Sequence, residues 1–162
     1  MNQVISFDLA RRFREVILNG TWIANTNFKD QLTGTDFKMA TKKLDPTNTI
    51  AALTQHIHYY IKGIKQVLQG GVLEISDSKS FDFPSITDQL HWEQILTAFW
   101  TDAEEFALLV EQLSKDKLQA PFVTEQYGTY QRNLEAMIEH CYYHLGPDCI
   151  DQEIVVRRSV KI

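Results

Sequence analysis

His140 and His144 are separated only by Cys141, Tyr142 and Tyr143. On a helix, residues four apart lie one turn apart on the same face, with Cβ atoms about 5–6 Å from each other. Two imidazoles so placed can share one divalent ion, as in the zinc-binding helices with an HExxH pattern. The spacing is short, and the chain holds five histidines (His56, His58, His91, His140 and His144), so such a pair also arises by chance. Spacing alone therefore leaves two readings open, metal ligands or histidines satisfied by water and hydrogen bonds.

Helical angle narrows the choice of a third ligand. At about 100° per residue, His144 falls beside Met137 on the border of its helix's apolar stripe, with His140 a little further round. On an earlier helix His56 lies about 60° from Leu53 and about 40° from Tyr60, again bordering the buried face. His58 falls about 160° from Tyr60 and is predicted to point to solvent. His91 sits near the start of another helix, next to Trp92, and reads first as a boundary residue, with a group supporting the ligands or a substitute ligand as the alternatives. Three imidazoles would leave coordination positions open, which is the catalytic and not the structural arrangement. An open position suits a water whose pKa falls toward about 7, or a thiol held as thiolate. Imidazole ligation suits zinc, nickel, copper or iron, so the ligands alone do not select the metal. No catalytic acid or base stands out: Glu139 points about 100° away from His140, and Cys141 belongs to the apolar stripe. Tyr59, Tyr60, Tyr142 and Tyr143 read as packing or as the wall of a pocket.

The elements that must position these side chains follow from periodicity. A first helix opens at Ser6 with Leu9, Phe13, Val16 and Ile17 on one face, and Asn19-Gly20 closes it. Residues 21–45 are irregular, with one short helix over Asp36–Lys43. After Asp45-Pro46-Thr47-Asn48, a second long helix carries Ile50, Leu53, Ile57, Tyr60, Ile61, Ile64, Val67 and Leu68, ending at Gly70-Gly71. Residues 72–85 form a long connection of the kind that serves as a crossover or a functional cover. A third long helix is predicted over Ile86–Leu113 and a fourth over Thr129–Leu145, with residues 114–127, which carry Pro121, as a loop with room for one helical turn. Gly146-Pro147 is expected to stop the last helix, and the tail from Ile154 to Ile162 to be a short extended segment. These elements predict an all-α four-helix bundle with a long crossover connection, in one domain spanning residues 1–162.

The chain has 162 residues and a net charge of −5, with 44% hydrophobic and 23% charged residues. That profile fits one globular domain with its own core. The acidic balance argues against nucleic acid and against an anionic membrane as partner, and no apolar run reaches the roughly 20 residues of a membrane span. Two cysteines, Cys141 and Cys149, with no CxxC spacing, fit a reducing, cytoplasmic compartment.

Two segments together carry a family resemblance: Asn48-Thr-Ile-Ala-Ala-Leu-Thr-Gln-His56-Ile-His-Tyr-Tyr-Ile, and Ile138-Glu-His140-Cys-Tyr-Tyr-His144-Leu-Gly146. With the stretch from Gly20 through Trp22 and Asn27 to Phe28, and Tyr127-Gly-Thr-Tyr, they resemble the DinB-like (YfiT-type) metalloenzyme family over nearly the whole chain to Gly146. The resemblance implies a four-helix bundle with a crossover, and a divalent metal held by His56, His140 and His144. The expected cofactor is zinc or nickel ahead of iron or manganese. It further implies a homodimer and a thiol-dependent S-transferase acting on a low-molecular-weight thiol and a small electrophile. A metal-dependent hydrolase, or a non-catalytic dimeric bundle that binds a partner, are the alternatives. The family commonly continues HxGQI after the last ligand, whereas this chain reads His144-Leu-Gly146-Pro147-Asp148.

Overall fold

The computed structural model describes the backbone of residues 4–43 and 48–159, with side chains described as far as Gly146. Among the described residues the chain is all-helical, with one isolated antiparallel bridge between Pro121 and Thr129. In chain order the α-helices are α1 Val4–Arg14, α2 Phe28–Leu32, α3 Phe37–Ala40, α4 Ile50–Leu68, α5 Gln89–Glu111, α6 Lys115–Gln119 and α7 Tyr130–Ser159. α1 continues directly into a π-helical turn over Glu15–Asn19, which Gly20 ends.

Side-chain caps set most helix starts. Asn27, Asp36, Thr49, Asp88 and Ser114 each accept a backbone N–H from the first turn of α2, α3, α4, α5 and α6, satisfying donors that have no intrahelical partner. Asp88 places the start of α5 at Gln89, three residues later than hydrophobic periodicity predicted, because a cap decides the boundary where periodicity only indicates the body. The irregular stretch 21–45 also contains α2, which was not predicted. Its signal is the cap: Asn27 is buried, with Oδ1 accepting from Asp30 N and Nδ2 donating to the Gly20 carbonyl.

The core lies where α1, α4, α5 and α7 meet. α5 packs on both α1 and α4, and α7 packs on α4 and α1. Phe13 of α1 meets Phe106 of α5 with ring centroids 4.4 Å apart, and Phe28 of α2 meets Phe99 of α5 edge-on at 6.1 Å. Ile57 and Ile61 of α4 and Leu134, Ile138, Cys141 and Leu145 of α7 are buried among them. Trp92 is fully buried, and its indole N–H donates to the Thr35 carbonyl at 2.8 Å, tying the start of α5 to the loop before α3. Ion pairs close the outer faces, for example Arg14 of α1 with Glu104 and Glu111 of α5.

The last helix runs on where a stop was expected: the backbone of α7 is helical through Gly146 and Pro147 to Ser159. Proline removes one N–H···O=C bond, that to Tyr143, without obliging the chain to leave the helix. Ile154–Ser159 is therefore helical and not extended, while Val160–Ile162 and Leu44–Thr47 lie outside the described residues.

Candidate metal centre

α4 supplies His56 and α7 supplies His140 and His144. One ligand atom from each of these three histidines lies within 4.8 Å of the others, the one group of three or more potential ligands that the described residues bring together. His56 Nε2 faces His140 Nε2 at 3.2 Å. Two nitrogens on one tetrahedral zinc with bonds of about 2.0–2.1 Å stand about 3.3 Å apart, so the facing pair is spaced as ligands of one ion. The rings of His140 and His144 are 4.7 Å apart, as one turn of α7 requires, and each lies about 5 Å from the His56 ring.

The long connection fixes the first of these rings. His56 Nδ1 lies 3.2 Å from the Ser80 carbonyl, an acceptor only, so Nδ1 carries the proton and Nε2 turns a lone pair toward His140. Metal-binding histidines are commonly oriented by this kind of backbone contact. Phe81 stacks on the His56 ring at 4.2 Å and 11°. Tyr59 anchors the same segment, accepting the Ser76 N–H at 2.9 Å, and Tyr60 donates to Asp77 at 2.6 Å while its ring lies against both His56 and His140. Residues 74–81 thus form a strap across the site, held by three side chains of α4, those of His56, Tyr59 and Tyr60.

Charge supports the same reading. Burial lowers the pKa of His56, and burial together with its histidine neighbours lowers those of His140 and His144, the last to about 4. All three are therefore neutral at pH 7, the form in which imidazole binds metal. Burial and the bond to Asp77 push the Tyr60 phenol up to about 12, so it stays a donor.

The other histidines are elsewhere. His58, expected in solvent, is buried between α4 and α5 and bonds Asp102 at 2.6 Å. A single apolar stripe does not account for α4, which is covered on one side by α7 and on another by α5. Asp102 also pairs with Lys65, which pairs in turn with Glu105. His91 lines a cleft of about 700 Å³ between α4, α5 and the connection, together with His58 and Lys62. None of the three clustered histidines lines that cleft. A second cavity, of about 380 Å³, does reach the cluster: it is walled by Tyr60, Asp77, Met137 and His140 among others. Cys141 is fully buried, and burial drives its thiol pKa upward, so it is a core residue. Glu139 is exposed and pairs with Arg132. Tyr143 is exposed with its edge on His144. The connection was expected as a crossover or cover, but its contact with His56 was not foreseen, since a backbone carbonyl such as that of Ser80 leaves no mark in a sequence.

The chain matches no known protein-family model, no curated protein and no solved structure. No described helix is long and apolar enough to cross a membrane.

Proposed function

We propose that the protein is a divalent-metal-dependent enzyme of the DinB-like type, with His56, His140 and His144 as its metal ligands and thiol-dependent S-transfer as its reaction. The observation that carries this reading is the convergence of three neutral imidazoles from two helices, one of them oriented by the Ser80 carbonyl, beside a cavity that reaches His140. The donor set fits a borderline ion such as zinc or nickel. Such an ion supplies a Lewis acid that lowers the pKa of a thiol or water held in the open position. The chain's own residues do the rest. Ser80 holds the His56 tautomer, Phe81 covers one face of that ring, and Tyr60 joins the ligand cluster to Asp77. In this reading α1, α4, α5 and α7 are the four members of a bundle, with residues 69–88 as its crossover. The compartment is the cytoplasm and the assembly a homodimer.

Screening electrophiles with metal-loaded protein, in the presence and absence of cysteine, glutathione and bacillithiol, tests the reaction class. Consumption of electrophile that requires a thiol, and that is lost in His144→Ala, is expected. Turnover without any thiol would replace transfer by hydrolysis.

A further inference from the structure

The stripes that carry the ligands continue beyond them as the walls of the 380 Å³ cavity. On α7, Asn133, Ala136, Met137 and His140 line it, at positions i, i+3, i+4 and i+7 of one face. On α4, Tyr60 and Ile64 line it, one and two turns beyond His56. Seven residues of helix rise about 10 Å, so the cavity runs from His140 along α7 to Asn133 for about that length. Its flanks are apolar, with Leu73 and Ile75 from the connection and Phe122 from the loop before α7. Its far end has Tyr127 and Asn133, whose Nδ2 is already committed to the Tyr127 and Thr129 carbonyls. One carboxylate, Asp77, lines it, and no lysine or arginine does.

A cavity of this volume takes a small molecule, and its chemistry describes the occupant. Apolar walls about two turns long reward an alkyl or aryl body in proportion to the area removed from water. At the His140 end the ion's own charge outweighs the single Asp77 carboxylate, but further along, apolar walls with no lysine or arginine penalise a negative charge carried on the body of the molecule. We propose that the molecule which reaches the three-histidine centre does so through this cavity, and that its body is an uncharged alkyl or aryl group about 10 Å long. This rests on the metal reading given above and adds the substrate class. It also sets an expectation for thiols: a compact or apolar thiol fits here, and a polyanionic one does not.

Alkanethiols serve as the probe, because a thiol sulfur binds a borderline divalent ion directly. Protein loaded with cobalt(II) is titrated with ethanethiol, butanethiol, hexanethiol and 6-mercaptohexanoate, following the visible and near-ultraviolet absorption of the metal. Affinity is expected to rise by about threefold to fourfold per methylene from ethanethiol to hexanethiol, and 6-mercaptohexanoate, whose carboxylate would be taken out of water between apolar walls, is expected to bind at least about tenfold more weakly than hexanethiol. Ala136→Trp, which fills the cavity, is expected to flatten the chain-length dependence with cobalt content unchanged; Ala136→Leu does so in part and serves if the larger residue prevents folding. A flat series in the parent, an unaltered series in both folded variants, or equal affinity for hexanethiol and 6-mercaptohexanoate overturns the inference while leaving the metal centre standing. Failure of the parent to bind cobalt overturns the metal reading itself, and is seen before any thiol is added.

Discussion

His56 and His58 stand two positions apart on α4 and meet different surroundings. His56 turns toward α7 and meets two further imidazoles; His58 turns toward α5 and meets the Asp102 carboxylate. The second arrangement is structural. Asp102 accepts from His58 and Lys65, both largely buried, so Asp102→Ala leaves His58 without its partner and Lys65 with Glu105 alone. That substitution is expected to cost about 1–3 kcal/mol in urea unfolding without changing metal content. Loss of metal instead would mean that the His58 side of α4 belongs to the site. The three clustered histidines lead to a different prediction, about pH. Folding lowers the pKa of His56, His140 and His144, in each case first through burial, and that of His144 from 6.5 to about 4. Between those values the unfolded chain binds a proton that the folded chain refuses, so unfolding is favoured as pH falls. The stability present above pH 6.5 is thus progressively lost toward about 4. Urea midpoints of metal-free protein at pH 7.5, 6 and 5 are expected to fall in that order, and bound metal is expected to hold the midpoint up until protons displace it.

The element on which the site depends most is the strap at residues 74–81, which has no regular structure beyond one 3₁₀ turn at Asp77–Lys79. It lies close on α4 because Gly63 has no side chain: a Cβ there would overlap Ile75 Cγ1 and Cδ1. In an ordinary helix interior Gly→Ala stabilises by about 1 kcal/mol. Here Gly63→Ala is expected to do the reverse, displacing Ile75 and with it the segment that brings Ser80 to His56. The expected readouts are a lower melting temperature and a metal affinity weakened by about 10-fold or more, the usual scale for losing a ligand's orienting partner. Ile75→Ala in the same chain is expected to restore both in part, which a change confined to helix propensity would not do. The sequence showed the long helices because their apolar stripes are periodic; helical angle put His56, His140 and His144 at the borders of their buried faces, and only the family resemblance joined them as one set. It could not show the strap's contacts, which are made by the Ser80 carbonyl and by the hydroxyls of Tyr59 and Tyr60 reaching across 17 to 24 residues. Nor did it reveal that α4 is covered on two sides, which is why His58 was placed in solvent. The run of α7 past Pro147 was illegible for another reason: a proline's local cost is known, but what the rest of a long helix tolerates is not a local property.

At the scale of the molecule, one core joins α1, α4, α5 and α7, and His56, His140 and His144 sit on its α4–α7 seam. Stability and metal binding are therefore separable by substitution. Phe106 is buried against Phe13 on the α1–α5 side; Phe106→Ala is expected to destabilise by about 3–5 kcal/mol while the folded fraction keeps its metal. His56, His140 and His144 are proposed to hold one divalent ion between them. The most direct test is elemental analysis of protein purified without a histidine tag, alongside the His56→Ala and His144→Ala variants. About one ion per chain in the parent, falling by roughly tenfold or more in each folded variant, is the predicted result. Substoichiometric metal in the parent after reloading, or unchanged content in both variants, would contradict it.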